Sequence, residues 1–163
     1  MNSIILDIDN CIADDGWRIR YIEWAKSGDE RYDFYHSRAG YDFPKNRVML
    51  LERHPAERIL FLTGRPNKFR PYTVAWLQKH FLPKDRPWEL LMRNEGDRSK
   101  AEELKRKMVV EWLPHYGVPL SSIVAAYDDH SPVVEMYKEL GIPAERLFIH
   151  TKDAYAAPRP LSH

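Results

Sequence analysis

Three apolar runs in this chain stop at residues that can handle phosphorus and a hard cation. "SIILDIDN" ends in Asp7 and Asp9, one residue apart, "FLTGR" ends in Thr63, Gly64 and Arg65, and "AAYDDHS" ends in Asp128 and Asp129. A carboxylate can attack a phosphoryl group, and a second carboxylate beside it can protonate the leaving alcohol and later activate water. Residues i and i+2 of an extended strand project to one side, so Asp7 and Asp9 can reach the same phosphorus, one attacking and the other moving protons. Thr63 and the amides after it could hold phosphate oxygens.

Four carboxylates in one place repel one another, at roughly 4 kcal/mol for a like-charge pair about 4 Å apart at an effective dielectric near 20. A cation is therefore expected among Asp7, Asp9, Asp128 and Asp129. Mg²⁺ suits an all-oxygen set completed by water and substrate phosphate, and the sequence has no Cys/His spacing for zinc. A lysine would balance the remaining charge. Acids, a metal, a hydroxyl and a glycine turn together describe a phosphoryl-transfer pocket.

These residues need a scaffold that brings distant strand ends together. Apolar or β-branched runs at Ser3 to Ile8, Arg58 to Leu62, Glu89 to Met92, Ser122 to Tyr127 and Arg146 to His150 predict five strands. Amphipathic stretches at Asn46 to Arg53, Pro71 to Phe81, Lys100 to Tyr116 and Pro132 to Leu140 predict helices between them. That alternation is the α/β pattern of a mostly parallel sheet flanked by helices, whose ligands sit at the carboxyl edge of the strands. Ser99 with Glu102 reads as a capping box, and Ser131 as an N-cap with Pro132 at the first helical position. Gly141 is placed to end that last helix.

Residues 14 to 44 break the rhythm. The stretch is too long for a plain connection and carries Trp17, Tyr21, Trp24, Tyr32, Phe34, Tyr35, Tyr41 and Phe43. It reads as a small helical cap inserted after the first strand of a single domain spanning 1–163, with Trp17, Tyr21 and Tyr35 the aromatics placed to meet substrate.

The 163 residues include 25 Lys and Arg against 24 Asp and Glu, so no global positive field exists to hold a nucleic-acid duplex nonspecifically. Phosphate recognition must be local. The lone Cys11 excludes an intramolecular disulfide and reads as a small packed side chain. No apolar run reaches membrane-spanning length and the N-terminus lacks signal-peptide features, so a cytoplasmic protein without membrane contact is expected.

The three strand endings, in this order, resemble the motifs of the haloacid dehalogenase (HAD) superfamily of phosphotransferases. The resemblance implies a Rossmann-like five-stranded sheet in the order 5-4-1-2-3, with Asp7 as nucleophile and Asp9 as general acid/base. It also implies Mg²⁺ held by Asp7, the Asp9 main-chain carbonyl, Asp128 and Asp129. "LLMRNEGDRSKAEELKRK" is further similar to the 3′-phosphatase domains of bacteriophage-type polynucleotide kinases, a likeness that spans most of the chain. On that match Lys105 balances the charge, with Lys100 as the alternative, while Arg18, Arg65 and Arg93 stand on the substrate side with Gly64 and Asn10. Asn10 and Cys11 replace the usual glycine and threonine after the second aspartate, Ala101 an expected acid, and His130 an expected arginine.

The implied activity is Mg²⁺-dependent removal of 3′-phosphates from single-stranded nucleic-acid ends or nucleotides. A small-molecule nucleotidase is the alternative, and a noncatalytic binding module a third reading. No GxxxxGK[ST] phosphate loop occurs, which leaves room for a separate kinase or ligase partner.

Overall fold

The computed structural model describes residues 1–19, 33 and 35–151. Its centre is β1 (Ser3–Leu6), every residue of which is buried. Parallel to it on one side run β4 (Arg58–Pro66) and β5 (Trp88–Arg93), and on the other β6 (Ile123–Asp128) and β7 (Ala144–Arg146). The sheet order is β5-β4-β1-β6-β7. Counted over these five strands from the β7 edge, this is 5-4-1-2-3, the expected order. The chain builds outward through β4 and β5, then crosses back past β1, which makes the carboxyl end of β1 a topological switch point.

Side-chain alternation divides the core. Ile4, Leu6, Ile59 and Phe61 face one layer, with Leu50 of α1 (Arg47–Arg53) and Trp76 and Leu77 of α2 (Arg70–His80). Ile5, Leu60, Leu62 and Ile123 face the other, with Leu104 of α3 (Ala101–Lys107) and Val133 and Tyr137 of α4 (Ser131–Glu139). A sheet buried on both faces needs the continuous apolar runs seen in β1 and β4.

Several local expectations need correction. The capping box does not form: Ser99 gives its amide and hydroxyl hydrogens to Asp97 Oδ1, at 2.8 and 2.7 Å, and α3 starts from an extended Lys100. The helix expected through Tyr116 changes character, becoming a π turn at Met108–Trp112 and a 3-10 turn at Leu113–Tyr116. Pro114 has no N–H to continue the ladder. Ser131 is the first residue of α4 and not its cap, and Asp128 Oδ1 instead accepts the His130 amide at 3.0 Å. Gly141 does end α4, at φ +82°, with Gly141 N–H bonded to Lys138 O and Ile142 N–H to Tyr137 O, a Schellman closure. The last strand begins before Arg146, and residues 147–150 leave the sheet to bond Asp128 and Asn10.

The chain departs from the sheet through β2 (Ala13–Asp14) and returns through β3 (Phe43–Pro44), which pair antiparallel. Asn46, at φ +60°, pins the return by donating to Cys11 O at 2.8 Å. Between the two strands lie a 3-10 turn at Gly16–Arg18, helical residues at 33 and 35–37, and a second 3-10 turn at Ala39–Tyr41. Tyr21, Trp24, Tyr32 and Phe34 lie outside the described residues. No helix among the described residues is long and apolar enough to cross a membrane.

Candidate active site

Register brings the strand endings level. Leu6 lies opposite both Phe61 and Tyr127, so Asp7 emerges beside Asp128, with Thr63 two residues past Phe61. The Asp7 amide donates to Tyr127 O at 3.0 Å, which holds it at the end of β1. From α3, Leu104 enters the core while Lys105 turns toward the strand tips. Its buried ammonium donates to Asp7 Oδ1 at 2.8 Å and to Asp128 Oδ2 at 2.5 Å. Lys100 is exposed at the head of the helix, so of the two lysines it is Lys105 that lies against the acids.

Asp7, Asp128 and Asp129 each offer an oxygen, and these atoms lie within 4.8 Å of one another. Burial, with the charges of Asp7 and Asp128 added, pushes the Asp129 carboxyl up to about 9. Asp128 is pushed up to about 6 by burial and Asp7, with Lys105 pulling the other way. Burial opposes the charge on Lys105, but Asp128 and Asp7 outweigh it and raise its basicity well above the ordinary range. One ammonium does not neutralise three gathered acids. Their hard oxygen donors and surplus negative charge fit a Mg²⁺ ion.

Asp9 keeps different company. Arg18 Nη2 reaches its Oδ1 at 2.5 Å, while Arg65 donates to Oδ1 through Nη2 at 2.7 Å and to Oδ2 through Nε at 3.1 Å. Burial alone would raise its pKa, but Arg65 and Arg18 win and hold Asp9 far below the usual carboxylate range. The four acids expected to converge are therefore divided. Asp7 and Asp128 hold Lys105 with Asp129 beside them, and the Asp9 carboxylate is clamped instead by two guanidinium groups.

Two residues expected on the substrate side are placed elsewhere. Arg18 is 0% exposed, and its Nη1 donates to Tyr35 O at 3.0 Å while Nε and Nη2 bind Asp42 at 2.8 and 2.6 Å. The Tyr35 ring lies 4.1 Å from its guanidinium carbon. Asn10, buried at φ +59°, serves the chain instead: Nδ2 donates to Asp129 Oδ2 and His150 O, both at 3.1 Å, and Oδ1 accepts the His150 amide at 2.7 Å. Both side chains are buried and hydrogen-bonded within the protein, and neither lines the cleft. Arg65 lines the cleft, but its guanidinium is 1% exposed and bound to Asp9 and to Thr73 Oγ1.

The remaining sequence-chosen residues, Asp7, Asp9, Thr63, Gly64, Arg93, Lys105, Asp128 and Asp129, line one cleft of about 850 Å³. Thr63 Oγ1 accepts the Arg65 amide at 3.1 Å, which bends the end of β4 around the hydroxyl. Arg93 ties two walls together, donating to Gly64 O at 2.9 Å and to Ser99 O at 2.7 Å. A Cβ at position 64 would come within 3.3 Å of Arg93 Nη2, so glycine permits this approach. Tyr35 also reaches the cleft, whereas Trp17 lines a separate shallow hollow with Arg38, Tyr41 and Phe43. Cys11 is buried, and burial and the charges of Asp7, Asp128 and Asp129 push its thiol well up, which suits packing and not nucleophilic attack.

Sequence reading missed Asp42 and His36. Asp42 sits in "GYDFP", where no apolar strand precedes it and no partner lies at a telling spacing. His36 lines the cleft, and burial pushes it down to about 3, so its ring is neutral.

Known structures share this fold. A chain from a structure of the Pnkp1/Rnl/Hen1 RNA repair complex superposes with a TM-score of 0.65 at 24% identity, covering 90% of this chain and 42% of that one. A second Pnkp1/Rnl/Hen1 complex gives 0.63 at 23% identity, with 90% and 45% covered. This chain thus spans less than half the length of those neighbours. CbbY from Rhodobacter sphaeroides, in complex with phosphate, gives a TM-score of 0.56 at 13% identity over 90% of this chain and 85% of that one. No curated protein matches the sequence. Residues 1–147 match the family of the polynucleotide kinase PNKP phosphatase domain, and on that match the chain belongs to this family and is a phosphatase of the HAD superfamily.

Proposed function

We propose that this protein is a Mg²⁺-dependent phosphomonoesterase that works through an aspartyl-phosphate on Asp7 and removes 3′-phosphates from polynucleotide ends or nucleotides. The observation that carries this reading is the placement of the buried Asp7 carboxylate against Lys105, with Asp128 and Asp129 beside it, at the floor of one cleft. Asp7, Asp128, Asp129 and the main chain at Asp9 would hold the ion, which when bound screens the phosphate charge from the carboxylates.

An Asp7 carboxylate oxygen attacks phosphorus, a new P–O bond forms, and the bond to the sugar oxygen breaks. Asp9 gives that oxygen its proton. Asp9 then takes a proton from water as the water attacks phosphorus, which frees inorganic phosphate and restores the Asp7 carboxylate. Asp9 is held as a carboxylate in the structure, so its grip on Arg65 must loosen before it carries a proton. The Thr63 hydroxyl, oriented by the Arg65 amide, and the Gly64 amide serve as donors to phosphate oxygens, Lys105 restrains Asp7, and Arg93 holds the walls that shape entry.

Residues 14–44 act as a cap on a single domain, and their exit and return through one antiparallel pair supports that reading. A nucleic-acid end as substrate is favoured by the family to which the chain belongs. The RNA repair complex among the structural neighbours makes a separate ligase a partner to seek. A cytoplasmic setting fits these roles.

The test is Mg²⁺-dependent phosphate release from a 3′-phosphorylated oligonucleotide, its 5′-phosphorylated counterpart and free nucleoside monophosphates. A preference for the first supports end repair, and a preference for the monophosphates would make the protein a nucleotidase. Undiminished hydrolysis after complete chelation would remove the metal from the account.

A further inference from the structure

The Asp42 side chain is wholly buried, yet it lines no part of the cleft. Its Oδ1 accepts Arg18 Nε at 2.8 Å and Trp17 Nε1 at 2.9 Å, and its Oδ2 accepts Arg18 Nη2 at 2.6 Å. Its main-chain oxygen accepts the Trp76 indole N–H at 2.8 Å. Asp42 is thus fixed from two sides, by an indole of the cap segment and by an indole of α2. A carboxylate meeting Nε and Nη2 of one guanidinium sets the plane of that group as well as its place.

Arg18 has little freedom left. Tyr35 O takes Nη1, Asp42 takes Nε, and the shared Nη2 is turned toward Asp9. The Tyr35 ring closes one face. Arg65 grips Asp9 from one side, and on the other the position of its Oδ1 continues the Asp42–Arg18 geometry, at the end of a chain that begins at Trp76. A bridge of this kind costs desolvation and is a weak device for stability alone, whereas it fixes geometry well.

On this geometry we propose that Asp42 is a positioning residue for the reaction, acting through Arg18 to fix where the Asp9 carboxylate stands beside the leaving oxygen. The inference rests on the reading of Asp9 as proton donor. If Asp42 is removed, Arg18 loses the partner that sets its orientation and closes on Asp9 alone. Proton delivery then suffers, while Asp7, Lys105 and the metal acids are untouched.

Leaving-group dependence reads this directly. An alkyl phosphate needs its leaving oxygen protonated, and p-nitrophenyl phosphate does not. For Asp42→Asn, single-turnover release of the nucleoside from a nucleoside 3′-phosphate is expected to slow about 10- to 100-fold, since misplacement by about 1 Å at a reacting group costs about that much. With p-nitrophenyl phosphate the single-turnover release of nitrophenolate should fall by no more than about threefold, while the later hydrolysis of the phosphoenzyme, which Asp9 also assists, slows alike for both substrates. Arg18→Lys, which keeps the charge but cannot span Asp9 and Asp42 with a planar fork, should show the same contrast. It serves as the readout should Asp42→Asn not fold.

Asp9→Asn supplies the reference. If Asp9→Asn slows single-turnover release of the leaving group equally from both substrates, Asp9 is not the proton donor and the parent reading fails. If Asp9→Asn shows the contrast but Asp42→Asn and Arg18→Lys slow that release equally from both substrates, or from neither, Asp42 has only a structural role and the inference is overturned.

Discussion

Lys105 Nζ stands 2.8 Å from Asp7 Oδ1, although 98 residues separate the two in the chain. The same ammonium holds Asp128, so one cation from α3 joins the ends of β1 and β6. Replacing it with Lys105→Met leaves the buried acids without their cation. The metal-free protein is expected to lose about 3 to 5 kcal/mol, the usual cost of breaking a buried pair from one side, as measured by urea unfolding. Added Mg²⁺ should recover part of that loss, and an unchanged unfolding midpoint would show that Lys105 carries no such burden.

Asp7→Asn is nearly isosteric and keeps an oxygen for Lys105. Phosphate release should fall by about 10³-fold or more while circular dichroism stays unchanged, because an amide cannot form the acyl phosphate. Activity near wild type would rule out Asp7 as the attacking group.

The raised Asp129 pKa makes stability depend on pH in a direction opposite to that of most paired carboxylates. An unfolded aspartate titrates near 4, whereas Asp129 is pushed up to about 9, so the folded metal-free state holds the extra proton between these values. That contribution is complete below the unfolded value and disappears as pH rises through the folded one. Melting temperature in chelator should therefore fall from about pH 7 to about pH 9, above the range in which the unfolded His36 proton adds an opposite slope, and Mg²⁺ should flatten or reverse the slope, since it binds the deprotonated acids. Parallel curves with and without Mg²⁺ would contradict the proposed metal set.

Asn10 combines a left-handed backbone with bonds to Asp129 and His150. Asn10→Ala should cost about 2 to 3 kcal/mol, part from lost hydrogen bonds and part from a Cβ in the left-handed region. Asn10→Gly removes the same bonds without that strain, so it should be milder by about 1 kcal/mol. Equal losses in calorimetry would mean that the backbone conformation contributes nothing.

How far the sequence could be read depended on the kind of signal. Asp7, Thr63 and Asp128 follow apolar strands directly, so finding the strands finds the residues, and parallel register aligns them. Lys105 was suggested only by the family resemblance, with Lys100 left open, and it is the fold that carries Leu104 inward and its neighbour toward the strand tips. The work of Arg18 and Arg65 was not legible. An arginine that meets phosphate and one that clamps a carboxylate look alike in sequence, and only burial and the position of Asp42 tell them apart. Ser99 and Glu102 fit the capping pattern, yet Asp97, two residues before Ser99, competed for its donors and won. The strand placed at Arg146 to His150 was offset because the pull of Asn10 on residues 149 and 150 leaves no trace in hydrophobic pattern.

The pairing of Ala13 with Pro44 and of Asp14 with Phe43 sets the two ends of the intervening segment side by side. That geometry invites modular exchange, since an alternative insert could be grafted there without opening the sheet. Such a transplant would, however, carry off Arg18 and Asp42 together, so any replacement segment must bring its own bracket for Asp9 or leave the acid to Arg65 alone.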